Sequence, residues 1–156
     1  MLNGPDAYSL FLGFSGGLFS TLLMTFTEIP SWKRWGLHGV LEWHENQVLA
    51  TKILKLSSEK VHFRGIFVLH FLNGGLDGIG FVIVLWFIPV IVSQIFLSAL
   101  IYGFFLWIVT LVPIHKPITG IAPWSHPLGH LPALASLVGH FVYGAVLGYF
   151  FLNTPI

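Results

Sequence analysis

The chain has 156 residues, 55% of them hydrophobic and 8% Asp, Glu, Lys or Arg, with a formal net charge of +1 and no cysteine. A soluble domain carries about 25% charged residues; together with a mean hydropathy of +0.83 this excludes a water-solvated fold and makes the bilayer the solvent. Disulfides, thiol catalysis and cysteine metal sites are excluded as well, and near-neutral charge gives no basis for binding nucleic acid.

A span of about 20 apolar residues crosses the hydrocarbon. The first runs over 8–28 and is expected to stop at Glu28 and Pro30. Residues 1–6 hold no Lys or Arg and no small-x-small site follows, so this is read as a span rather than a cleaved leader. The stretch from Gly65 to Val112 contains a single acid, Asp77, and is too long for one helix. Pro89 marks its break, because proline cannot donate within a helix and restricts the residue before it. Spans at 64–86 and 91–112 follow, with a tight hairpin between them. The last span, 133–152, lies between Pro132 and Pro155. The expected fold is an all-α polytopic membrane four-helix bundle, a single transmembrane domain.

Two loops remain, at 30–63 and 113–132. Six of the seven Lys and Arg residues cluster in or beside the first, from Lys33 to Arg64, and the seventh, Lys116, lies in the second. Positive residues stay in the cytoplasm; both loops are therefore expected there and both termini outside, in the plasma membrane of a prokaryote. Within the first loop, about 37–56 could form a helix, but its apolar positions make no clean stripe, so an interfacial helix is allowed and not required. Trp32, Trp35 and Trp43 suit the headgroup zone. The second loop, with Pro113, Pro117, Pro123, Pro127 and Pro132, reads as an irregular, stiff connector.

The second and fourth spans share the pattern His-Phe-x-x-Gly-x-x-x-Gly, at His70–Gly78 and His140–Gly148. This suggests two similar helical hairpins forming a parallel repeat about an axis along the membrane normal. Gly74 with Gly78, and Gly144 with Gly148, make small-xxx-small grooves for close helix packing. The extra glycines Gly75 and Gly80 make the second span the candidate for local unwinding, which at that depth requires burial or a wet cavity.

Intramembrane ionisable groups are costly and face the bundle interior with a partner. His70, Asn73 and Asp77 share one stripe; His140 and Tyr143 occupy the matching stripe of the fourth span. Asp77 is expected to pair with Asn73, or with Thr25 or Gln94. As a unit these residues fit interhelical hydrogen bonding, a proton or solute path, or a haem held between His70 and His140. Glu42, His44 and Glu45 crowd together near Glu28; His44, Glu45, His126 and His130 form a weak metal set, although Pro127 and Gly129 oppose the helix that an H-x₃-H pair needs. Otherwise the loop histidines His38, His44, His62, His115, His126 and His130 are expected to face solvent or headgroups. No nucleophile–base pair, phosphate loop or H-E-x-x-H is present, so an enzyme is not expected and no cofactor is the simplest reading.

The glycine-rich first span closing on Met-Thr, Gly16-Gly17 to Met24-Thr25, and the His-x-x-x-Gly-x-x-x-Gly spans resemble small prokaryotic four-helix membrane proteins of uncharacterised activity. That resemblance covers the spans and implies the four-helix fold alone. The leading functional expectation is a non-catalytic structural or accessory subunit, packed against itself or other membrane subunits in the lipid bilayer; the alternative is a small transporter or proton path through His70, Asn73 and Asp77.

Overall fold

The computed structural model describes residues 4–53, 55, 63–88 and 94–154, and among these there is no β-strand. Its helices are α1 (Ala7–Trp35), α2 (Leu41–Ile53), α3 (Phe63–Phe87), α4 (Ile95–Val109), α5 (Lys116–Thr119) and α6 (Leu131–Asn153). Four helical stretches are long and apolar enough to cross a membrane: Ala7–Gly39, Ile66–Phe87, Ile95–Thr119 and Leu131–Asn153. The chain is an all-α four-helix membrane bundle. The expected turn at Pro89 and the start of the third span at 91 lie outside the described residues, as do Lys60 and His62.

Asp6 starts α1 by accepting the Ser9 N–H at 2.7 Å, a side-chain cap for an otherwise orphaned donor. The helix does not stop at Glu28; it passes through Pro30 and ends at Gly36, whose φ of 65° suits only glycine and whose N–H reaches the Trp32 carbonyl. Proline removes one helical hydrogen bond. The turn beyond it is retained because Ile29 and Trp32 pack on a second apolar cluster of Val40, Trp43, Ala50 and Ile66. The third span also runs longer than expected. After α4 the chain widens into a π-helical turn, Thr110–His115, with Pro113 inside it, and then tightens into α5. Much of the anticipated connector is therefore helix, and the wider turn accommodates a residue that cannot donate while burying His115 completely.

Lipid offers no hydrophobic drive for helix pairing, so close backbone approach decides which helices meet. A Cβ on Gly17 would lie 2.1 Å from the Gly74 carbonyl oxygen, and one on Gly78 would lie 2.1 Å from that of Gly13, which locks α1 to α3. Gly103 and Gly144 do the same for α4 and α6, and Gly148 abuts Phe96 and Ala99. The repeated glycines thus act inside the chain. Helix α3 stays continuous through Gly74–Gly80; the expected unwinding is absent because its glycine face lies tight against the α1 backbone at Gly13 and Gly17, and the Gly74 carbonyl also takes a hydrogen bond from the Tyr143 hydroxyl at 2.7 Å. Phe81, Ala99, Leu147 and Phe151 fill the core between these pairs.

Helix α2 packs its first half into the bundle. Leu41, Glu42, Trp43, His44, Glu45 and Asn46 are all buried in succession. A half-helix buried on every side has no reason to show an amphipathic stripe, which accounts for the pattern that residues 41–46 lack. The Lys52 ammonium donates to the Ile118 carbonyl and so ties α2 to α5. Both basic loops gather at one end of the bundle, and α2 plugs that end.

Candidate functional site

Three histidines from three helical segments each meet one glutamate, and all six side chains are buried. His70 on α3 places Nε2 3.3 Å from Glu28 Oε2 on α1. In the π-helical turn, His115 donates from Nδ1 to Glu45 Oε1 on α2 at 2.7 Å. His140 on α6 has Nδ1 3.5 Å from Glu42 Oε1 on α2, while that same nitrogen donates to the Ser136 carbonyl at 2.9 Å. The carboxylates are held from behind. Glu28 Oε2 accepts the Trp43 indole N–H at 2.9 Å, and Glu42 Oε1 accepts the Ser136 hydroxyl.

Among the described residues, no Lys or Arg forms an ion pair with these glutamates. Glu28 Oε1, Glu42 Oε2, His70 Nε2 and His115 Nε2 are buried without a hydrogen-bond partner. Three carboxylates removed from water have only imidazoles to balance them, an arrangement that costs several kcal/mol per uncompensated ion. As placed, no three His, Asp or Glu side chains among the described residues converge on one metal-ligand point.

A cavity of about 320 Å³ opens beside these pairs. Its lining includes Glu42, Glu45, His70, Asp77, His140 and Tyr143, and among the described residues neither Lys nor Arg. It is walled by residues of α1, α2, α3, α4, the π-helical turn and α6, and near it the Tyr102 hydroxyl of α4 donates to the Asp77 carbonyl of α3 at 2.8 Å. Asp77 lies seven residues past His70, about 10 Å along the helix, and is half-buried.

The sequence stripe is therefore brought to one cavity, but its partners differ from those expected. Asn73 donates from Nδ2 across to the Asn46 side-chain oxygen Oδ1 at 3.2 Å, not along the helix to Asp77. Thr25 gives its hydroxyl to the Thr21 carbonyl, the usual economy of a hydroxyl in an apolar helix. Gln94 sits exposed at the start of α4. His70 and His140 share the cavity, yet each ring meets a carboxylate, and His70 Nε2 faces Glu28 instead of a common haem iron. In the fourth span the counterpart of Asp77, Leu147, is fully buried core.

The proposed metal set His44, Glu45, His126 and His130 is only partly assembled. His130 is exposed at the start of α6, and Glu45 is committed to His115. His44, His115 and His126 are buried, contrary to the expected solvent or headgroup position. Their rings, with that of the exposed His38, form a chain: His38–His44 centroids are 4.6 Å apart, His44–His115 6.1 Å and His38–His126 6.4 Å. Burial, reinforced by the neighbouring imidazoles, pushes His44 down to about 4, so that ring is neutral. Glu45 is raised to about 7, burial outweighing the His115 hydrogen bond. His126 Nδ1 accepts the Leu128 N–H at 3.1 Å, which leaves its buried Nε2 as the protonated nitrogen. Glu28 and Glu42 were missed as site residues; the crowding of acids near the end of the first span was the available signal. Trp43 was expected among headgroups and is instead 1% exposed.

Comparison with family models, with curated proteins and with solved structures gives no match for the chain.

Proposed function

We propose that the protein is a small integral membrane protein that binds and passes cations, protons or small positively charged solutes, through the cavity lined by Glu42, Glu45, His70, Asp77 and His140. The observation that carries this reading is the lining: acids Glu42, Glu45 and Asp77 with His70 and His140, and among the described residues no Lys or Arg. An intramembrane cavity with carboxylates and imidazoles of this kind attracts positive charge and offers successive proton acceptors. Asp77 marks the deep end and the buried glutamates the end plugged by α2. Reconstituted into liposomes with an imposed proton gradient, the wild type is expected to dissipate the gradient, and Asp77→Asn to fall to the rate of empty liposomes. A wild type that dissipates neither a proton nor a potassium gradient overturns the reading.

The basic loops are placed in the cytoplasm and both termini outside, in a prokaryotic plasma membrane; the clustering of Lys33, Arg34, Lys52 and Lys116 at one end supports this. A parallel repeat of two hairpins is supported by the matched glycine contacts of α1 with α3 and of α4 with α6. The alternative of an accessory subunit, bound to itself or to other membrane subunits, drew on glycine grooves awaiting a partner helix. Those grooves are filled within the chain, which is why the cavity reading is preferred.

A further inference from the structure

We propose that His38, His44, His115 and Glu45 form a relay that carries protons, and no other cation, from the exposed end of the bundle through the α2 plug to the cavity. This deepens the cation reading above and rests on it for the path beyond Glu45.

The four groups follow one another in space. His38 stands exposed in the turn Gly36–Gly39 between α1 and α2. Its ring centre lies 4.6 Å from that of His44, and the His44 ring centre lies 6.1 Å from that of His115. His115 Nδ1 donates to Glu45 Oε1 at 2.7 Å, and Glu45 lines the cavity. Proton transfer needs groups within hydrogen-bond reach, directly or through one water, and these separations keep neighbouring ring edges inside that reach. The π-helical turn Thr110–His115 puts the third ring in place; such widened turns recur at functional sites. His44 Nδ1 and His115 Nε2 are buried without a hydrogen-bond partner, although buried polar atoms are ordinarily paired. In His115 the two nitrogens have opposite tasks. A proton arriving at Nε2 forms an N–H bond there, the Nδ1–H bond breaks, and the released proton joins Glu45 Oε1, whose carboxylate becomes a carboxylic acid. Glu45 then gives that proton to the cavity, and a turn of the imidazole restores the first tautomer. His126 is a branch outside the relay, 6.4 Å from His38, because its Nδ1 is held by the Leu128 N–H and takes no proton.

The basicities suit this order. Burial, with the neighbouring imidazoles of His38, His115 and His126, lowers His44 to about 4, so this ring passes a proton without storing it. Burial raises Glu45 to about 7 against the His115 hydrogen bond, and Glu42 adds to the rise, so Glu45 both takes and releases a proton near neutral pH. Selectivity follows from the plug. Leu41 to Asn46 are buried in succession, and a hydrated ion does not pass through side chains packed in that way. A proton moves by exchange of N–H and O–H bonds and needs no opening.

The test measures proton and potassium flux in liposomes holding the full chain, with a pH-sensitive dye inside. The wild type is expected to dissipate a proton gradient and to leave a potassium gradient intact. His44→Gln, His115→Gln and His38→Ala reduce the proton rate to about a tenth or less, and His130→Ala leaves it unchanged. Because His38 is exposed, an imidazole buffer that does not cross the bilayer, glycylhistidine, restores the rate of His38→Ala. It does not restore that of His115→Gln, whose site is fully buried. A histidine with a merely structural role would show no such rescue. Circular dichroism checks the helicity of each variant; should the buried changes not fold, His38→Ala and its rescue decide alone. Proton flux retained in a folded His115→Gln or in His38→Ala, loss in His38→Ala without rescue, or potassium flux through the wild type overturns the relay and leaves the cation path standing. A wild type that moves neither ion overturns the cation reading and the relay together.

Discussion

Trp43 carries its indole N–H into the bundle and delivers it to Glu28, a carboxylate that is 2% exposed. Leaving a buried acceptor short of its donor costs about 1–3 kcal/mol. Trp43→Phe keeps most of the ring's contact with Phe67, 5.1 Å away, so the expected loss is of that order and comes from the hydrogen bond. Thermal unfolding in detergent measures it; a variant as stable as wild type would show that Glu28 is satisfied in some other way. At this scale the sequence disclosed half of each pair. His70 and His140 stand out because a histidine in an apolar span needs a partner. Their glutamates lie in α1 and α2, outside the repeated pattern, and nothing in linear spacing joins residue 28 to 70 or 42 to 140. His115 was hidden more thoroughly, since its proline neighbours resemble a loop.

Elements were easier to read than their ends. The four spans follow from composition, whereas Pro30 and Pro113 misled because tertiary packing can offset the one hydrogen bond that proline removes. The glycines give the sharpest test of how the elements meet. In Gly17→Ala the new methyl would stand 2.1 Å from the Gly74 backbone oxygen, which cannot rotate away; α1 and α3 must separate, at roughly 1–3 kcal/mol. Gly4→Ala, with nothing within 4 Å, is the control and is expected to be neutral. The Gly74 carbonyl also accepts from Tyr143, so separating the helices disturbs that bond too. Gly17→Ala combined with Tyr143→Phe should therefore be less destabilising than the sum of the single changes, with a coupling of about 0.5–3 kcal/mol. Additive effects in the unfolding midpoints would mean that the helix contact and the hydrogen bond are independent.

At the scale of the whole molecule, sparse charge has two separate uses. Lys and Arg, exposed at Lys33, Arg34, Lys52 and Lys116, are held at one end, where crossing the bilayer would cost most. The acids Glu28, Glu42 and Glu45 are turned inward at that same end, where histidines are their partners and, among the described residues, no Lys or Arg pairs with them. Orientation and site are thus coupled: the plug formed by α2 closes the side that retains the positive charges, and the cavity's acids lie just beneath it. This geometry makes orientation measurable with single cysteines, since the native chain has none to interfere. In intact cells, Gly4→Cys and Asn153→Cys should react with a membrane-impermeant maleimide. Lys33→Cys and Lys116→Cys should react only after permeabilisation. All four positions are exposed, so a silent cysteine reports its side of the membrane and not its burial. The reverse pattern would place the buried glutamates beneath the outer surface, and the cation path would then take its cations from outside the cell through the α2 end.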